Sequence, residues 1–223
     1  MSQVLGELLP FAVAVALSPI PIIAVILMLG TPRARVNGPA FAVGWVVGLT
    51  LVSTVVLLLT GGSDQSDSTA SDSVSWGKLA LGVLFVVMAA RQWRSRPKAG
   101  EEPTMPKWLA TVDAITPGKA LGLGVLLSAV NPKNLALAAA AGASIAQAGL
   151  DSVQDVEAIA LFVIIGSVTV VGPVLVSLFA RGAAAGPLAS VKEFMTDHNA
   201  VIMMVVLLVL GAKLIGDGLG GLG

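Results

Sequence analysis

Predominantly apolar stretches recur along the chain at roughly residues 8–30, 38–60, 75–93, 120–148, 158–180 and 199–216, separated by polar or charged breaks. A helix needs about 20 apolar residues to cross the hydrocarbon core of a bilayer, so the pattern predicts six transmembrane helices. The third is the least regular. Only residues 79–90 within it are free of charge, so Lys78 and Arg91 must extend to opposite interfaces, with Trp76 and Trp93 as anchors beside them. At the start of the chain the first charge is Glu7 and no Lys or Arg precedes Arg33, which suits an uncleaved first helix better than a secretory signal with a basic leader.

The connections differ in character. Residues 61–75 (GGSDQSDSTASDSVS) are polar and low in complexity, as in a solvated loop. Between residues 94 and 118, Trp108, Leu109, Val112 and Ile115 share one helical face while Asp113 lies away from it, predicting a short helix at the membrane surface. Leu188, Val191 and Phe194 suggest a similar element before the last span.

Composition narrows the class. Hydrophobic residues make up 56% of the 223 and charged residues 12%, against roughly a quarter charged in soluble domains. The expectation is an all-α, polytopic, multi-pass protein of the cell membrane whose first partner is the lipid bilayer. Net charge is zero and no basic cluster is interleaved with aromatics, so no nucleic acid is expected. There is no cysteine, and no Asp, Glu or His falls within a span, so neither a metal site nor a cofactor is predicted. Intramembrane hydrolysis would need Ser18 or Ser128 paired with Lys133, or a serine with His198, which sits at the edge of the last span. The chain is read as no enzyme.

Basic residues fix the orientation. Arg33 and Arg35 lie in the first connection, Arg91, Arg94, Arg96, Lys98, Lys107 and Lys119 in and around the third, and Arg181 and Lys192 in the fifth. The second and fourth connections carry Asp64, Asp67, Asp72, Asp151, Asp155 and Glu157 and nothing basic. The odd connections are therefore cytoplasmic and both termini extracytoplasmic.

The chain also resembles itself. Ser18-Pro19-Ile20-Pro21 interrupts the first span, and Asn131-Pro132-Lys133-Asn134 interrupts the fourth, 113 residues later. Val83 to Arg91 (VLFVVMAAR) aligns with Val205 to Lys213 (VVLLVLGAK). Two three-helix units in succession must run through a membrane in opposite senses, which is an inverted-topology repeat. The division expected is residues 1–95 as the first three-helix repeat, 96–118 as a cytoplasmic linker with an interfacial helix, and 119–223 as the second repeat.

Mid-span prolines leave backbone carbonyls without donors, and in a bilayer such breaks persist where a polar environment or a cavity satisfies them. Paired breaks in corresponding halves point to a midplane binding site. Lys133 strengthens that reading, because 13 uncharged residues precede it from Ala120 and 17 follow it to Leu150. A lysine at mid-membrane costs about 2.5–3.5 kcal/mol on insertion scales. The candidate substrate-binding residues are Lys133, Asn131, Asn134, Pro132, Ser18, Pro19 and Pro21. Two bland alternatives stand beside this, a packed kink with local capping by Ser18 and Asn131, and Lys133 as an interface residue. Gly44 and Gly48 in the second span, and Ala138, Gly142 and Ala146 in the fourth, are small-residue stripes suited to close packing within one bundle or to a dimer seam.

These residues resemble a known family. Ser18-Pro19-Ile20-Pro21 is similar to the Pro-Gly-Pro element in helix 1 of the LysE superfamily of exporters, and Asn131-Pro132-Lys133 to its Asn-Pro-Lys element in helix 4. Met105-Pro106-Lys107-Trp108, Thr116-Pro117-Gly118-Lys119, and His198-Asn199 before Leu210-Gly211-Ala212-Lys213 resemble the GAP branch, which includes glycopeptidolipid-addressing and sulfolipid-addressing proteins. The resemblance implies six helices in two inverted repeats and a role in exporting a lipid or other small amphipathic molecule. Ile20 stands where amino-acid exporters carry glycine, which weighs against an amino-acid exporter. A non-transporting partner of a larger lipid-export machine is the alternative. A homodimer and a larger export complex are both left open.

Overall fold

The computed structural model describes residues 2–61, 68–97, 106–179 and 185–222, and every regular element among them is helical. Two of the expected spans are each divided by a sharp bend. Helix α1 (Ser2–Ala16) meets α2 (Pro19–Leu29) at 51°. Helix α5 (Pro117–Val125) runs through a π turn (Leu126–Val130) and meets α6 (Pro132–Gln147) at 64°. Both bends fall where proline withholds an N–H. Pro19 and Pro21 open the first turn of α2 and Pro132 that of α6, where the fixed φ is already helical and no donor is missed. Asn131 caps α6, its Oδ1 accepting from the Lys133 N–H at 3.1 Å. The π turn closes with the Asn131 N–H donating to the Leu126 carbonyl at 3.1 Å, the wide i→i+5 ring often found at functional sites.

The other helices are continuous: α3 (Ala34–Thr60), α4 (Ser68–Arg94), α7 (Ser152–Phe179), α8 (Ala185–Asp197) and α9 (Asn199–Gly220). Helices α3, α7 and α9 are each long and apolar enough to cross a membrane, and counting each bent pair as one span brings the number to five. The expected third span corresponds to α4, which is not among these; its charge-free stretch is residues 79–90, between Lys78 and Arg91.

Helix α3 lies at the centre, packed on α2, α5, α6 and α7, with Phe41, Trp45 and Leu49 fully buried. Glycine permits the close approach to α5. A Cβ at Gly44 would fall on the Leu121 carbonyl, one at Gly124 on the Phe41 carbonyl, and one at Gly48 on the Ser128 hydroxyl. Gly142 of α6 packs in the same way on the Ser53 carbonyl. The small-residue stripes therefore serve contacts inside one chain. Helices α4 and α9 form a second, antiparallel seam, in which Gly82 and Gly211 face each other's carbonyls and Gly218 meets the Ser75 carbonyl, at 2.9 Å in each case from an added Cβ. The outward faces carry Leu58, Leu59, Ile164, Phe179 and Val209, all 60–81% exposed. Apolar surface of that extent marks a face covered by lipid.

The short helix expected after Pro106 is present, wound more tightly than an α-helix. It is a 3-10 helix (Lys107–Ala114), and three residues per turn align Leu109 and Val112, both buried, toward α2. Asn37 of α3 donates to the Ile115 carbonyl at 2.9 Å and ties the segment's end to the bundle. Helix α8 matches the weaker expectation near Leu188, and none of its residues is fully buried. The loop expected at 61–75 is shorter than the sequence suggested: residues 62–67 lie outside the described residues, and from Ser68 onward the chain is already helix α4.

Candidate functional site

A helix that stops in an apolar interior must find donors for its last carbonyls. At the end of α1 three consecutive carbonyls find them on side chains. The Lys133 Nζ donates to the Ala14 carbonyl at 2.8 Å, the Ser18 hydroxyl can donate to the Val15 carbonyl at 2.7 Å, and the Thr169 hydroxyl donates to the Ala16 carbonyl at 2.6 Å. The i+4 donor for Val15 would have come from Pro19, which has none. When protonated, Lys133 places a cation at the negative end of α1, a favourable pairing with the helix dipole.

The second break is satisfied from the same side chains. Asn134, fully buried, donates its Nδ2 to the Leu127 carbonyl in the π turn at 2.9 Å. Its Oδ1 lies 3.0 Å from the Ser18 hydroxyl, and the Lys133 Nζ donates to the same hydroxyl at 2.7 Å. Ser18 has one proton to give, so it serves either Val15 or Asn134 while accepting from Lys133. The two interruptions, more than a hundred residues apart in sequence, are joined by one polar cluster with Ser18 and Lys133 each 3% exposed.

A cavity of about 100 Å³ adjoins the cluster. Its walls include Ser18, Ile20, Asn131 and Lys133 from the two breaks, Gln92 from the last turn of α4 and Asn199 from the first turn of α9. At about 30 Å³ per water in the liquid, it has room for roughly three waters. The N-termini of α2 and α6 both open on it, presenting the positive ends of two helix dipoles. An ammonium has three N–H groups, and Lys133 commits two of them to Ala14 and Ser18. The Asn199 Oδ1 is buried with no partner among the described residues. The lysine and the two helix ends suit a small anionic group, while the Asn199 Oδ1, an acceptor, suits a hydroxyl or a water beside it.

The residues singled out in the sequence fare differently. Ser18, Pro19, Pro21, Asn131 and Lys133 line the cavity. Asn134 lies behind it and holds Ser18 and Leu127, whereas the Pro132 ring is exposed and shapes the site only through the break it makes. Gln92, Asn199 and Met203 line the cavity without having been named as site residues, and Thr169, which caps α1, was not expected there either. Among the described residues no three His, Cys, Asp or Glu side chains are grouped to hold a metal.

The sequence model of the Sap, sulfolipid-1-addressing protein, family matches residues 8–220. The chain belongs to this family. No curated protein and no solved structure matches it. The Sap-family match begins within α1 and ends in the last turn of α9, so it encloses both breaks and every residue lining the cavity. Membership of the Sap family sets lipid addressing or export as the context in which the chain is read.

Proposed function

We propose that this protein is a six-span exporter that moves a lipid with an anionic head group, using the cavity between its two broken helices. The observation that carries the reading is the buried Lys133 Nζ, bonded across both breaks and facing a polar cavity at two helix N-termini. An intramembrane cation is costly and marks a functional position by default. Half-helix N-termini aimed at an anionic substrate group are a recurring feature of secondary transporters.

Two further observations support the membrane arrangement. Helix α4 packs along α9 through the glycine seam, so it lies beside a helix that is itself long enough to span, and this favours α4 as the sixth span. The inverted repeat is favoured by the packing. Exchanging α1, α2, α3 and α4 for α5, α6, α7 and α9 turns the α1–α7 contact into α5–α3 and the α2–α7 contact into α6–α3, and leaves α3–α7 and α4–α9 as self-paired contacts, all of which occur. The basic connections support a topology with both termini outside the cell.

At about 100 Å³ the cavity is below the 300–1,000 Å³ typical of small-molecule sites, so transport needs an opening movement. The α4–α9 pair supplies one wall through Gln92 and Asn199, and α4 packs chiefly on α9, which makes the pair the natural moving part. The test is a comparison of surface lipids and excreted metabolites in cells with and without the gene. Loss of one anionic lipid class from the surface, with its accumulation inside, is the expected result; unchanged profiles would overturn the proposal.

A further inference from the structure

A second concavity lies away from Lys133. It is a groove of about 450 Å³ between the 3-10 helix and α5, within the size range of small-molecule sites. Trp108 and Val112 form one wall, and Lys119, Gly122, Leu123 and Leu126 form the other. The α5 residues fall at i, i+3, i+4 and i+7, one face of a helix, so the groove follows the helix for about 10 Å from a cation to leucines. Glycine keeps it open, since a Cβ at Gly118 or Gly122 would meet nothing within 4 Å. Lys119 is exposed in the first turn of α5 and has no hydrogen bond or ion pair among the described residues.

We infer that this groove binds a membrane glycerophospholipid with an anionic head group, the phosphate at Lys119 and an acyl chain along Trp108, Leu123 and Leu126. The polarity gradient matches an amphiphile with one charged end. Charge complementarity fixes its sign: Lys119 lies at the end of α5 whose neighbour α3 begins beside Arg33 and Arg35, and α3 and α5 run parallel from Asn37 and Ile115 onward. The phosphate would also meet the unpaired N–H groups of the first turn of α5. The apolar end is continuous with surface that lipid already covers, since Leu121, Leu126 and Val130 are 42%, 52% and 62% exposed. A soluble peptide would not reach that end. The inference stands independently of the Lys133 cavity, which shares no lining residue with the groove.

The test is native mass spectrometry of the full-length protein in mild detergent, titrated with phosphatidylglycerol or with phosphatidylcholine of the same acyl chains. Phosphatidylglycerol should bind about tenfold more tightly, a difference of roughly 1.4 kcal/mol. Lys119→Gln should remove most of that preference. Gly122→Leu, whose side chain enters open space, should weaken both lipids about tenfold while leaving the fold intact. Lys192→Gln, a lysine of α8 outside the groove, should change neither. Equal binding of the two lipids, a preference that survives Lys119→Gln, wild-type binding by Gly122→Leu, or loss of the preference in Lys192→Gln would each overturn the inference.

Discussion

Gly122 and Gly124 sit two residues apart on α5 and face opposite surroundings, so one substitution at each isolates what the α3–α5 seam contributes. Alanine in place of a helical glycine gains about 1 kcal/mol from backbone entropy at either site. At Gly122 the added carbon meets nothing, and the gain is kept. At Gly124 it would sit on the Phe41 carbonyl and 2.8 Å from the Trp45 N. Both are backbone atoms of α3 and cannot rotate aside, so the helices must separate, at the upper end of the 1–3 kcal/mol typical of overpacking. Gly124→Ala should therefore be about 2 kcal/mol less stable than wild type and Gly122→Ala slightly more stable, a separation of about 3 kcal/mol in which the propensity gain cancels. Reversible unfolding in mixed micelles, followed by circular dichroism, measures both. Equal stability of the two variants would show that α3 and α5 do not meet through Gly124, and would remove the framework that places the second break beside the first.

Three further outcomes follow from the same geometry. Ser18→Ala deprives Lys133 of an acceptor and the Val15 carbonyl of a donor, and should cost about 1–3 kcal/mol of stability in the same unfolding assay, largely recovered by Ser18→Thr. Gly211→Leu should prise α4 from α9 and lower the melting temperature, whereas Gly216→Leu on the same helix, where an added Cβ meets nothing, should not. Because the chain has no native cysteine, single cysteines at Ser152 and Ser95 report sidedness. Ser152→Cys should react with an impermeant thiol reagent in intact cells and Ser95→Cys only after permeabilisation; the reverse pattern would invert the topology.

Much of the site was legible because its determinants are costly in a bilayer. Proline in mid-span and a lysine far from any other charge have few cheap explanations, so Ser18-Pro19 and Asn131-Pro132-Lys133 stood out and do come together. The residues that escaped notice are inexpensive ones. Thr169 lies in an apolar run where a threonine commonly bonds its own helix, and only the chain crossing shows that it caps the Ala16 carbonyl. Gln92 and Asn199 lie in terminal turns, where polar side chains ordinarily meet water, and only the α4–α9 pairing turns them toward Lys133. Trp108, Leu109, Val112 and Ile115 were assigned to one face of an α-helix, yet spacings of three at 109, 112 and 115 suit a 3-10 helix better. The glycine stripes left packing within the chain and packing between chains undecided, since the same small residues serve both; the carbonyls opposite Gly44, Gly124 and Gly142 belong to this chain.

The central claim is that Lys133 serves the substrate as well as the fold, and export by Lys133→Met tests it most directly. The substitution keeps the side chain's length and removes the desolvation cost of a buried cation, which offsets much of the 1–3 kcal/mol lost when the Ala14 carbonyl loses its donor. The variant should therefore reach the membrane at near wild-type level. In cells lacking the wild-type gene it should fail to restore the surface lipid that the wild-type protein restores. Normal surface lipid in cells carrying Lys133→Met would contradict the account and leave Lys133 as a cap on the broken end of α1.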